Sequence, residues 1–118
     1  MEHFKLPAYN KARELAMQLI KSTQKVPKDI RYTYVRDLQV MAMGIMEHIA
    51  YANEKAEQRI AFLEKAQNDL HAITIRVRIL KDLNHISTKG YSVIIRKEEE
   101  LARQIAGWLN KTRETTNR

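Results

Sequence analysis

The chain contains no cysteine, three glycines and two prolines in 118 residues, few aromatics (7%) and no long apolar run. Each scarcity excludes something. Without cysteine there is no disulfide, no thiolate zinc site and no Cys nucleophile, which fits a reducing compartment. An apolar stretch of roughly 18–20 residues, needed to cross a bilayer, is missing, so no membrane partner is expected. The first residues, MEHFKLPAYNK, lack the apolar centre of a signal peptide, and a cytoplasmic location is the expectation. Gly44, Gly90 and Gly107 lie far apart, so no glycine-rich phosphate loop forms. No Ser or Thr sits in a nucleophile elbow. No segment alternates with period two over a strand length; Tyr91-Ser92-Val93-Ile94-Ile95 is the one β-like run, and it leads straight into a helical pattern.

What remains is ordinary in amount and regular in spacing. Hydrophobic residues make up 44%, enough for the core of one domain, and the net charge is +7 with a pI near 9.8. Pro7 suits a first helical turn. Ala12, Leu15, Ala16, Leu19 and Ile20 then follow the spacing of one helical face, over about 7–25. Lys21, Lys25 and Lys28 cluster where cations favour a helix C-terminus, and Pro27 ends the pattern. Val35, Leu38, Met41, Ala42, Ile45, Met46 and Ile49 mark a second helix over 29–53. Ala56, Ile60, Leu63, Ala66, Leu70, Ile73, Val77 and Leu80 mark a third over 55–83. Ser87 or Thr88 can cap a fourth over 88–111, buried at Ile94, Leu101, Ile105, Trp108 and Leu109, with a frayed polar tail over 112–118. Four such helices with short connections predict an all-α, up-down-up-down four-helix bundle forming a single domain.

Apolar residues also occur opposite these stripes. At about 100° per residue, Ala72, Ile75 and Ile79 fall away from Leu70, Ile73 and Val77. Val40, Met43, Gly44 and Tyr51 likewise oppose Leu38, Ile45 and Ile49. Single exposed apolar side chains are normal on any surface. Two helices apolar on both sides instead point to a second buried face, and hence to a homo-oligomer joined through these seven residues. Gly44 would let another backbone approach. Periodicity does not fix the stoichiometry.

A catalytic or metal constellation is not found. A carboxylate-bridged metal site in a bundle needs Glu-x-x-His pairs facing inward; the nearest match, Asp82-x-x-His85, has the wrong acid and no partner motif. Glu47 and His48 are adjacent and diverge, and His3, His71 and His85 stand apart from carboxylate patterns. A protein that is not an enzyme, with no cofactor, is the expectation.

The positive charge is unevenly spread. Residues 1–28 carry a net +4, residues 29–54 carry −2, residues 55–83 carry +2 and residues 84–118 carry +3. Lys89, Arg96 and Arg103 recur every seven residues on the side away from Leu101 and Ile105, with Lys111 and Arg113 beyond, while Arg76, Arg78 and Lys81 cluster late in the third helix. These eight residues are the candidate contacts to RNA or DNA, through phosphates and without base readout. The competing reading is a solvated ion-pair surface, since Arg96–Glu100 and Glu99–Arg103 are spaced for pairing along the helix. Few aromatics interleave with the basic residues, so no base-stacking platform is indicated.

The pattern resembles a bacterial four-helix-bundle family. It includes proteins encoded by intervening sequences in 23S rRNA genes and the accessory variability determinant of diversity-generating retroelements. The resemblance runs from about Leu6 to Lys111. It rests on LPAYNKARELAMQLIKSTQKVPK, IMEHIAYANE, RIAFLEKAQNDLHAI, ILKDLNHIS and IRKEEELARQIAGWLNK. Where many intervening-sequence relatives carry Asn-Ile-Ala-Glu-Gly, this chain has His48-Ile49-Ala50-Tyr51-Ala52, and where they favour Gly-Ser it has Asn68-Asp69. Those departures, with Gly107-Trp108 through Lys111, move it toward the accessory-determinant branch. The resemblance implies a homopentameric ring. In that branch, it also implies binding of nucleic acid and of a reverse transcriptase; in the intervening-sequence branch, it implies a scaffold of unassigned role.

Overall fold

The computed structural model describes residues 5–116. Four helices run antiparallel: α1 (Pro7–Ser22), α2 (28–54), α3 (Arg59–Asp82) and α4 (Thr88–Thr116). Each packs on its neighbours in a square, α1 on α2 and α4, α3 on α2 and α4, with the two diagonals apart. The result is the expected up-down-up-down bundle, with extents of 50 × 22 × 21 Å. Its core is a single cluster running from Ala8 through Leu15, Leu38, Ile45, Ile49, Leu63, Ile73 and Ile94 to Leu109.

Local chemistry sets the ends. Pro7 opens α1, and Lys21 closes it. The helix stops at Ser22, three residues short of the expected end, because the Thr23 hydroxyl turns back to donate to the Leu19 carbonyl at 2.6 Å and Val26 folds into the core. Ile20, expected in the buried stripe, is exposed. It lies one step of about 100° from Leu19, past the edge of the buried arc. Ala56 is also exposed, because 56–58 form a 3-10 turn ahead of α3 instead of its first turn.

Within α2 the backbone widens into a π-helical turn over Arg31–Val35, which no periodicity announced. Tyr34 projects from this turn and donates its hydroxyl to the Arg76 carbonyl of α3 at 2.6 Å. Between α3 and α4 the chain turns at Asn84, whose φ of 60° is the left-handed conformation asparagine tolerates. Ser87 then caps α4, its Oγ accepting the Gly90 N–H at 2.9 Å.

The tail expected to fray from 112 is helical through Thr116. Thr112, Thr115 and Thr116 donate their hydroxyls to carbonyls four residues back, and Arg113 bridges to Glu64 of α3 at 3.1 Å. Among the described residues, no helix is long and apolar enough to cross a membrane.

Candidate functional site

The sequence expectations concern an apolar face and a set of basic residues. The apolar face lies over the contact between α2 and α3. These helices run closely: Asp69 Oδ2 sits 3.4 Å from His48 Nε2, Tyr51 and Phe62 rings meet at 5.4 Å, and Tyr34 reaches Arg76. Above that seam, Val40, Met43 and Tyr51 of α2 and Ile75 and Ile79 of α3 are exposed, Val40 by 61% and Ile75 by 54%. Tyr32 and Leu83, missed from the sequence, are exposed at 64% and 58%. Leu83 and Ile79 rim a wholly apolar hollow of about 180 Å³ with Ile30, Tyr34 and Leu80. Burial raises the Tyr34 phenol pKa, with the nearby Arg76 charge opposing it.

Ala72 and Gly44 are only half-exposed members of the set. A Cβ on Gly44 would lie 3.7 Å from Asp69 Oδ2, so part of the room beside this glycine is taken by the chain's own carboxylate. Met17 and Ile20 of α1 are further exposed apolar side chains.

The eight candidate basic residues are not gathered into one patch. Arg76 stands apart, half-buried at the α2–α3 seam. Arg78, Lys81 and Lys89 lie at the end of the bundle where α1 and α3 finish and α2 and α4 begin. Lys25, Lys81, Asp82, Asn84, His85, Ser87 and Thr88 line a polar cleft there. Lys21, Lys28 and Arg31 belong to the same end, read from the sequence only as a helix terminus or not at all. Arg96 and Arg103 are exposed along α4, and Lys111 and Arg113 mark the far end, with Lys89 and Lys111 about 33 Å apart along the helix.

Several of these charges are already engaged. Asp82 accepts from Arg78 at 3.2 Å and raises the guanidinium pKa; Glu64 holds Arg113, and the Lys81 ammonium lies 5.5 Å from the Tyr91 ring centre. The pairing expected between Arg96 and Glu100 is replaced by a contact between helices: Glu100 meets Lys11 of α1 at 3.1 Å, and Lys11 also approaches Glu14. The hydrogen bond with Glu100 raises the Lys11 pKa and lowers that of Glu100. At the far end, Arg59 donates to the carbonyls of Ala52 (2.7 Å) and Asn53 (3.2 Å) and stacks on Trp108, so it caps α2 and is not a free cation.

The histidines do not converge. His48 is paired with Asp69 and stacked on Phe62, His71 is exposed on α3 and His85 lies in the loop cleft, while His3 falls outside the described residues. No group of three or more His, Asp or Glu among the described residues is placed to hold a metal ion.

Comparison with curated proteins gives no match. The family profile described as "23S rRNA-intervening sequence protein" matches residues 5–107, from the residue before Leu6 to the glycine preceding Trp108, and so covers the first three helices and most of α4. The chain belongs to the 23S rRNA-intervening sequence protein family.

Proposed function

We propose that this chain is a non-catalytic bundle that assembles with copies of itself through the α2–α3 face and binds nucleic-acid phosphates at its basic loop end. The observation that carries the reading is an exposed apolar face along α2 and α3 that runs into a lysine-rich loop end. Exposed Val40, Met43, Tyr51, Ile75 and Ile79 lie over α2 and α3, whereas Lys21, Lys25, Lys28, Lys81 and Lys89 gather at the end of the bundle. Contiguous apolar area on a small chain marks an interaction surface, and clustered lysines favour a polyanion. Packing the apolar faces together leaves the loop ends free and brings their charges into one field.

Fluorescence anisotropy with labelled RNA and DNA tests the binding. With roughly four phosphates engaged, log affinity falls against log salt with a slope of about −3 to −4. Absence of binding at ~50 mM salt, where screening is weak, refutes the proposal. A second reading, a scaffold that docks a partner protein and never touches nucleic acid, is favoured by the same apolar face. It predicts a wild type that assembles normally and shows no binding of RNA or DNA at ~50 mM salt, where screening is weak. The finer expectations rest on the family resemblance. Light scattering at five times the 13.9 kDa chain mass supports the pentamer. Co-purification with a reverse transcriptase encoded nearby supports the retroelement role.

A further inference from the structure

Glu98 occupies a position that belongs to the core. It follows Ile94 and precedes Leu101 and Ile105 on the buried side of α4, and only 4% of its surface is exposed. Its Oε2 lies 2.5 Å from the Thr74 hydroxyl oxygen of α3, and that same hydroxyl is 3.0 Å from the Leu70 carbonyl. A threonine hydroxyl has one proton to give. If Thr74 donates it to Leu70, the short contact to Glu98 needs its proton from the carboxyl group. A neutral carboxylic acid therefore satisfies both bonds: Glu98 donates to Thr74, and Thr74 donates to the helix. Glu98 Oε1 is buried with no hydrogen-bond partner, a modest cost for a neutral carbonyl and a large one for a carboxylate.

The surroundings give an ionised carboxylate little help. From α3 come the uncharged Gln67 and Thr74 and the exposed His71; from α4 comes Glu99, a like charge. From α1, Lys11 reaches this part of α4, where it is committed to Glu100 and, within its own helix, approaches Glu14. α2 lies diagonally opposite. Beside the carboxyl, Gln67, Leu70, His71, Ile95 and Ala102 help line a mainly apolar groove of about 330 Å³ between α3 and α4.

We propose that Glu98 is a proton-operated latch between α3 and α4: protonated, it closes the relay to Thr74 and Leu70, and on losing its proton to water it loosens that contact along the groove. Burial, only partly opposed by the bond to Thr74, raises the Glu98 pKa from 4.5 to about 7, which places the change near neutral pH. The sign follows from a pKa that is higher in the folded chain than in the unfolded one. Folding is favoured below the unfolded value, and the advantage is lost as pH rises through the folded value. Between pH 5 and 9 the folding equilibrium constant falls on the order of 10²-fold from this group alone.

The experiment is urea unfolding of the full chain from pH 5 to 9, at one fixed protein concentration, for the wild type and Glu98→Gln. The glutamine is neutral throughout and keeps the shape, and it leaves every histidine in place, so the difference between the profiles isolates this carboxyl. The latch predicts a wild-type stability that drops relative to the variant between pH 5 and about 7 and levels off above it. Parallel profiles overturn it. Infrared difference spectra of the wild type between pH 6 and 9 give an independent reading if the variant folds poorly. Loss of a protonated-carboxyl carbonyl band across that interval supports the latch, and its absence at pH 6 overturns it.

Discussion

Replacing Ile75 and Ile79 together with glutamate tests whether the α2–α3 face is an assembly surface. Both side chains point outward, 54% and 46% exposed, so about half of each remains to be covered by a partner. Full burial of an isoleucine is worth about 1.5–3 kcal/mol, which leaves roughly 2 kcal/mol for the pair at each contact. Setting carboxylates in that contact without cationic partners adds the cost of desolvating them, at least another ~1 kcal/mol. A combined loss of about 3 kcal/mol weakens each contact on the order of 100-fold. The fold itself is expected to survive, because the buried side of α3 is untouched and glutamate is at least as good a helix former as isoleucine.

Light scattering coupled to size exclusion reads the result, with circular dichroism confirming the helices. The wild type should elute as a multiple of 13.9 kDa and the double variant as the single chain. Asn110→Glu, on the exposed side of α4, is the control for added charge and should assemble normally. A wild type that is already 13.9 kDa at micromolar concentration refutes the reasoning, as does a double variant that assembles unchanged.

Other perturbations separate the remaining pieces. Lys25→Glu with Lys89→Glu, both at the loop end, should lower nucleic-acid affinity at least tenfold and flatten the salt slope by about 2, measured by anisotropy. Arg59→Ala removes two bonds to the last carbonyls of α2 and the stack on Trp108, and should cost about 2 kcal/mol in urea unfolding. Gly107 sits mid-helix with nothing within 4 Å of where a Cβ would stand. Gly107→Ala should therefore stabilise the chain by about 1 kcal/mol, seen as a rise of several degrees in Tm.

Helix starts and breaks were the most legible features, because they depend on residues a few positions apart. Pro7, Pro27 and Ser87 act where their chemistry places them, and Asn84 makes the turn after α3. Exposed Val40, Met43, Tyr51, Ile75 and Ile79 were legible for the same reason, since 3.6-residue periodicity assigns a face before any packing is known, whereas Ile20 was expected to be buried and Met17, Tyr32 and Leu83 were not read. Lys25 and Lys81 illustrate what was not. They are 56 positions apart, and only the antiparallel return of α3 sets both in one cleft. The eight basic candidates read as a single surface in sequence but divide among the loop end, the α4 flank, the far end and, for Arg76, the α2–α3 seam. A helix of 29 residues carries its charges over about 40 Å.

Glu98 shows the boundary most clearly. It lies in the acidic run Glu98–Glu100 and was not singled out from the sequence. Only the tertiary structure buries it and sets it against Thr74 of α3. From the π-helical turn at Arg31–Val35 and from the helical tail through Thr116, Tyr34 and Arg113 likewise meet partners 42 and 49 residues away, the Arg76 carbonyl and Glu64. The scarcity of glycine, proline and cysteine, together with the apolar spacing, determined four helices, their breaks and their inner and outer faces, all of which arise from short-range geometry. Tertiary structure decided which charges share a surface, which are already paired and which carboxyl is buried, because those outcomes depend on contacts between helices that no local pattern encodes.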